Sequence, residues 1–387
     1  MLREELPGQL RSTVPPTAIL HTGQEGLGAA VLCILAEAKA EARLMLWVFW
    51  TMALAHRVPI FVHRGAGCSA CGGASSIPEN SLPAFKHAIE KGAEGAELDC
   101  WLTADGEVVV VHGCGSESEG FFFDTVTNGY NDDGSPMRLQ TASFKDLTNN
   151  GHTDLRMPWI SLAVSQGEDR AAALRRYAEA SKAEKASMMD LYNHTSTPCS
   201  PLANLPLLQE VLQLCGGRLK LNVELKGVNP SLGARVIDLM SKYPGIVERI
   251  STFQWTPQSD VDLLAPIRAR AKEEGVALAL LFNGLPSVDD AVGWLDAYDS
   301  EWAHVSQRAW RRLGEGQGGS GAAAEAKWRE WVDGMHSRGK RVMTWWGSKG
   351  DDLAEDVQRS LRCGVDAICP NDVDLAIKVR REWESSP

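Results

Sequence analysis

Short β-rich runs recur along most of this chain, with helical stretches between them. The runs stand at 58–63 (VPIFVH), 95–102 (GAELDCWL), 218–226 (RLKLNVELK), 248–253 (ERISTF), 276–282 (VALALLF), 302–306 (WAHVS), 340–346 (KRVMTWW) and 364–369 (GVDAIC). Helical patterns occupy 81–91, 206–215, 230–243, 257–274, 287–298, 322–338 and 351–362. Strands that alternate with helices are joined by crossovers and therefore lie parallel. Eight such units predict an α/β fold, an irregular (β/α)₈ TIM barrel.

One run breaks the alternation. EVVVVH (107–112) follows the 95–102 strand after only TADG, too short for the dozen or so residues of a parallel crossover. It reads as an antiparallel hairpin arm turning at Asp105-Gly106, a pair favoured in two-residue turns. That loop sets Ala104 opposite Glu107 and Asp99 opposite His112. The interval 113–205 holds FFFDTVTNGYNDDGSP and a charged helical stretch, and it reads as a large loop insertion at the active-site face. Residues 1–57 read as an N-terminal extension, loosely ordered to about Gly28 and helical over 29–55, with the barrel over 58–387.

Composition narrows the function classes. The 387 residues are 44% hydrophobic and 23% charged, as in a water-soluble globular protein. A net charge of −11 argues against a nucleic-acid-binding face. The longest apolar stretch, Leu44 to Ala55, is shorter than the roughly 20 residues of a membrane span. No signal-peptide pattern opens the chain, so a cytoplasmic protein is expected, with peripheral membrane association left open. Nine cysteines without a framework spacing suit a reducing compartment. Cys68 and Cys71 form a C-x-x-C that lacks two further zinc ligands nearby, so a loop of small residues is the expected reading.

In a barrel of this kind chemistry gathers at the C-terminal ends of the strands. Those ends carry His63 and Arg64, Glu97 and Asp99, Glu224 and Lys226, and Trp345, while the hairpin arm carries His112. Residues two apart on a strand share a face, so Glu97 joins Asp99 and Glu224 joins Lys226. Three carboxylates in one mouth repel unless a cation sits among them, and an all-oxygen set suits Mg²⁺ or Ca²⁺. Two histidines at the mouth suit proton transfer. Arg64 and Lys226 suit a phosphate.

These residues carry a resemblance. HRGAG, IPENSLPAFKHAIEKGAEGAELDCWLTADGEVVVVH, LPLLQEVL, LNVELKG, ISTF, VMTWW and GVDAI fall in order from about Val58 to Asp372. The series resembles the glycerophosphodiester phosphodiesterase family, and TVTNG and SFKDLT extend it partly into the insertion. The resemblance implies hydrolysis of glycerophosphodiesters to glycerol 3-phosphate and an alcohol. It implies His63 and His112 as the acid/base pair, and Glu97, Asp99 and Glu224 as ligands of one divalent cation. Arg64 and Lys226 would hold the phosphate, Glu79 would brace the site, and Phe253 and Trp345 would wall it. Three departures stand out. Gly113 replaces the family's aspartate after the second histidine, so Asp99 or backbone groups are expected to orient His112. The loop between HRG and PEN is long, and Asn371 stands where an aspartate is usual.

Two other readings compete. A lysophospholipase D or sphingomyelinase D-like enzyme would act on a lipid with a similar histidine pair, and the insertion and tryptophan-rich N-terminal helix would suit it. A barrel that binds without turnover is supported only by Gly113.

Overall fold

The computed structural model describes residues 57–67, 77–113, 137–149, 205–315, 321–347 and 352–385, together with Ser116, Gly120, Ser181 and Glu184. The strands are β1 (Phe61–Val62), β2 (Gly95–Leu102), β3 (Val108–Val110), β4 (Lys220–Leu225), β5 (Val247–Thr252), β6 (Ala277–Phe282), β7 (Trp302–Ser306), β8 (Arg341–Trp345) and β9 (Ala367–Cys369). All except β3 pair in parallel, in the order β1-β2-β4-β5-β6-β7-β8-β9. A parallel bridge between Ile60 and Ile368 joins the first strand to the last and closes the ring. This is the expected (β/α)₈ barrel with its hairpin arm.

Helices cover the outside. Leu208–Cys215 turns Leu208, Val211, Leu212 and Cys215 inward, and Leu232–Met240 does the same with Leu232, Val236 and Ile237. Burying each such side chain contributes about 1.5–3 kcal/mol. Leu82–Lys91 starts at Ser81, whose hydroxyl accepts from the Ala84 N–H, and stops at Gly92 in the left-handed conformation (φ 74°). Val373–Glu384 ends the described chain, capped by Asp372. Among the described residues no helix is long and apolar enough to cross a membrane.

The structure corrects three sequence expectations. The hairpin pairs Leu102 with Val108 and Trp101 with Val109, one residue away from the register of a two-residue loop. Ala104, Asp105 and Gly106 form a three-residue loop: Thr103 and Glu107 face each other (N···O 2.9 Å) and Gly106 takes φ 83°. Asp99 therefore lies opposite Val111, whose N–H it accepts at 3.1 Å, and not opposite His112. The first strand stops at Val62, because His63–Gly65 turn into a short 3₁₀ segment. Within 257–274 only Ala265–Ile267 and Arg268–Glu273 are helical. Asp262 Oδ1 accepts from the N–H groups of Leu264 and Ala265, a local turn that competes with helix before Pro266.

Most of the 113–205 interval lies outside the described residues, as do the 29–55 helix, nearly all of the 1–57 extension, and Cys68 and Cys71. The portion described around 137–149 packs Met137, Leu139 and Leu147 against Trp101, Val109, Val111 and Leu205 on the hairpin side of the barrel.

The barrel floor holds a buried cation. The Arg249 guanidinium lies 4.1 Å from the Phe61 ring centre and 4.0 Å from that of Trp302. Burial pulls its pKa down to about 10, so it stays charged at neutral pH. Stacking on two desolvated rings is worth about 2 kcal/mol or more per ring and replaces part of its lost hydration. The Phe61 ring fits because Gly95 beside it has no side chain. A Cβ there would come within 2.4 Å of two ring carbons and 2.9 Å of the Lys220 carbonyl oxygen. Gly95→Ala should therefore displace Phe61 from Arg249 and cost about 1–3 kcal/mol of stability. Urea unfolding checks this, and an unchanged midpoint would show that the floor does not depend on the stack.

Candidate active site

The 3₁₀ turn after β1 sets the first two site residues. Arg64 adopts φ 50°, ψ 27°, a left-handed conformation that costs a non-glycine residue about 1–3 kcal/mol. Its neighbours hold it there. The Arg64 N–H donates to Glu97 Oε2 (3.0 Å), and its carbonyl accepts from the Asn80 N–H (2.9 Å). Its guanidinium lies 2.6 Å from Glu79 Oε1 and 3.3 Å from Asp99 Oδ2.

The segment Pro78-Glu79-Asn80 thus works twice. Glu79, fully buried, grips Arg64 from behind. Asn80, at φ 57°, donates through Nδ2 to Asp99 Oδ2 (2.8 Å), while its Oδ1 accepts from the Asp99 N–H (3.3 Å). Asn80 escaped the sequence reading although it stands inside the PEN motif, whose signal was credited to Glu79 alone.

Glu97 and Asp99 both point inward from β2. Glu224 reaches them from β4, where Asp99 and Glu224 are register partners. Carboxylate oxygens of the three lie within 4.8 Å of one another, all buried. Lys226 stands between two of them, with Nζ against Glu224 Oε1 and 3.4 Å from Asp99 Oδ1. Burial, then the negative charges of Asp99 and Glu224, push the Glu97 pKa well up. Burial alone would also raise Asp99, but Arg64 and Lys226 outweigh it and hold that carboxyl below its usual range. Glu97 Oε1 is buried without a hydrogen-bond partner. An all-oxygen set with a buried orphan acceptor fits a hard divalent cation.

The two histidines face the same cleft. His63 Nδ1 lies 2.8 Å from Asn371 Oδ1, and its Nε2 lies 3.7 Å from Glu97 Oε2. His112 Nδ1 lies 2.7 Å from the Gly113 carbonyl oxygen, which only accepts, so that nitrogen carries the proton. The backbone at His112 is fixed in turn by Trp101 Nε1, which donates to its carbonyl at 3.1 Å. Burial, then Arg64, lower the pKa of both rings, that of His63 to about 3. Both are neutral at physiological pH. The expectation that a backbone group orients His112 holds, since the Gly113 carbonyl does so. The expectation that Asp99 does so by direct opposition fails with the hairpin register.

Phe253 and Trp345 wall the mouth edge to face, with ring centres 5.9 Å apart, and Trp345 also meets His63 at 6.2 Å. The resulting cleft, about 410 Å³ with its open mouth, gathers every predicted site residue except Glu79 and Asp99 into its lining. Those two sit directly behind Arg64. At its depth are Asn222 and His304, interior residues of β4 and β7 that the sequence reading passed over.

Known proteins resemble this chain in sequence and in fold. A glycerophosphodiester phosphodiesterase of Caldanaerobacter subterraneus is 24% identical over 330 residues, covering 84% of this chain and 98% of its own. A protein from Silicibacter pomeroyi superposes with a TM-score of 0.57 at 18% identity, covering 85% of this chain and 95% of that one. An Oleispira antarctica phosphodiesterase, solved with its product sn-glycerol-3-phosphate, gives a TM-score of 0.54 at 14% identity over 85% of this chain and 99% of its own. These structural likenesses speak for the fold. The model of the glycerophosphoryl diester phosphodiesterase family matches residues 63–375, and the chain accordingly belongs to that family of phosphoric diester hydrolases.

Proposed function

We propose that the cleft binds a glycerophosphodiester and hydrolyses it to glycerol 3-phosphate and an alcohol, with His63 and His112 as the proton carriers. The observation that carries this reading is that two neutral imidazoles share one cleft with two fixed cations and three clustered carboxylates. The Oleispira antarctica phosphodiesterase, with sn-glycerol-3-phosphate as its product, supports the choice of substrate class.

In this reading Arg64 and Lys226 hold the phosphodiester. Arg64 is pre-oriented by Glu79, so its fork is fixed before the substrate arrives. Glu97, Asp99 and Glu224 would hold a divalent cation, Mg²⁺ or Ca²⁺, which would supply Lewis-acid stabilisation of negative charge on the phosphoryl group when bound. A neutral imidazole takes the proton of the attacking hydroxyl, either a water or a hydroxyl of the substrate itself. The other imidazole must donate to the departing alkoxide and so must first be protonated. The anionic phosphodiester beside it raises its pKa toward that state.

A second reading keeps the chemistry and changes the leaving group. The half-buried rings of Phe253 and Trp345 favour a lysolipid whose glycerophosphoryl unit occupies the same cleft. A panel of glycerophosphodiesters and lysolipids, assayed with each metal, separates the two. Excess chelator should abolish turnover, and Glu224→Gln should weaken Mg²⁺ binding strongly in calorimetry; full turnover in chelator would remove the metal from the reaction.

Arg64→Lys retains the charge and loses the fork. It should cost one to a few kcal/mol, on the order of 10-fold or more in kcat/KM. Wild-type kinetics in Arg64→Ala would place the phosphate elsewhere. His112→Ala should lower kcat by at least about 10²-fold, the lower end of general acid–base contributions. A near-normal kcat in that variant would refute the two-histidine mechanism.

A further inference from the structure

Asn371 stands beyond β9, and its side chain does more than touch His63. Its Nδ2 donates to Asp352 Oδ1 at 2.8 Å and to the Trp346 carbonyl at 3.2 Å. Both of those groups only accept, so the amide nitrogen must face them, and the amide oxygen must face His63. Asn371 Oδ1 is in turn only an acceptor. The His63 nitrogen 2.8 Å from it is therefore the one that carries the proton.

Asp352 is anchored to make this choice. Its Oδ2 accepts from the backbone N–H of Asn371 (2.6 Å) and from that of Asp372 (2.7 Å). With those two donors on one oxygen and the Asn371 amide on the other, the carboxylate is clamped, and the Asn371 side chain is held against it. We propose that Asp352 is a positioning residue for the proton transfer. Acting through Asn371, it fixes the ring orientation of His63 and keeps the proton on Nδ1, so that the Nε2 lone pair faces the cleft. Neither residue touches the reacting atoms.

The chain of contacts explains how an asparagine serves where an aspartate would bind an imidazole directly. An aspartate accepts on either oxygen and needs no orientation. An asparagine has one acceptor and one donor end, so a histidine beside it sees the correct end only if something fixes the amide. Here a carboxylate and a carbonyl fix it. Two residues divide the task that one carboxylate performs alone, and the negative charge stands one residue further from the ring. The proposal rests on His63 being a proton carrier, but its geometric content does not.

The test uses the full chain with ¹⁵N-labelled histidine and saturating Mg²⁺. Long-range ¹H–¹⁵N correlation reads the tautomer of each ring, and the His63 signals are those lost in His63→Asn. In the wild type the proton should sit on Nδ1. Asp352→Asn keeps the size but cannot accept from two backbone N–H groups and the amide together, so His63 should become a mixture of tautomers. Its kcat should fall about 10-fold, a usual cost of losing an outer orienting group, with KM within twofold. Asn371→Ala should do the same and serves where Asp352→Asn does not fold. A His63 protonated on Nε2 in the wild type would overturn the proposal. So would an unchanged tautomer and kcat in the folded variants. If the chain hydrolyses no glycerophosphodiester, the tautomer measurement still decides the positioning, and the proposed substrate alone fails.

Discussion

Charge balance at the barrel mouth is the constraint around which the site is arranged. Glu79, Glu97, Asp99 and Glu224 are all buried there, with Arg64 and Lys226 as the cations among them. Four carboxylates against two cations leave two negative charges over. Burying an uncompensated charge costs several kcal/mol, so the cluster must either bind protons or bind a cation. The elevated pKa of Glu97 expresses the first option. A divalent ion is the second, and its charge equals the deficit. The same negative surplus would repel a phosphodiester, and in the proposed reaction the fixed guanidinium of Arg64 offsets that repulsion.

That fixed position is held by backbone as well as charge. Arg64 and Asn80 both take positive φ, and a hydrogen bond links them, the Arg64 carbonyl accepting from the Asn80 N–H. Two strained residues persist only where their surroundings over-determine them. The surroundings here are the site carboxylates themselves: Glu97 holds the Arg64 N–H, and Asp99 holds the Asn80 amide. Backbone conformation and carboxylate cluster are thus tied to each other by direct hydrogen bonds.

The barrel was legible because its strands are short, buried on both faces and separated by helices of ordinary length. β2 and β7 fall on the residues that the pattern marked. The site was legible because period-two spacing places Glu97 with Asp99 and Glu224 with Lys226 irrespective of detail. What escaped depends on contacts between distant segments. A one-residue difference in loop length moved the hairpin register and took His112 from opposite Asp99. Asp352 carries no local pattern at all; it gains a role only because the chain returns beside Asn371. Asn80 had a local signal, but a motif does not say which of its residues faces which partner.

The seam of the barrel lies at Ile60 and Ile368, a single bridge between the first strand and the last. His63 and Asn371 stand just above it, 308 residues apart in the chain and 2.8 Å apart in space. The N–H of His63 also donates to the Pro370 carbonyl at 2.9 Å. Contacts so far apart in sequence carry a high loop-closure cost. During synthesis the ribosome releases His63 long before its partner exists. A nascent or prematurely ended chain carries Arg64, Lys226 and the acidic residues without the Asn371 contact that orients His63. The orientation of His63 is in effect a report that the ring has closed.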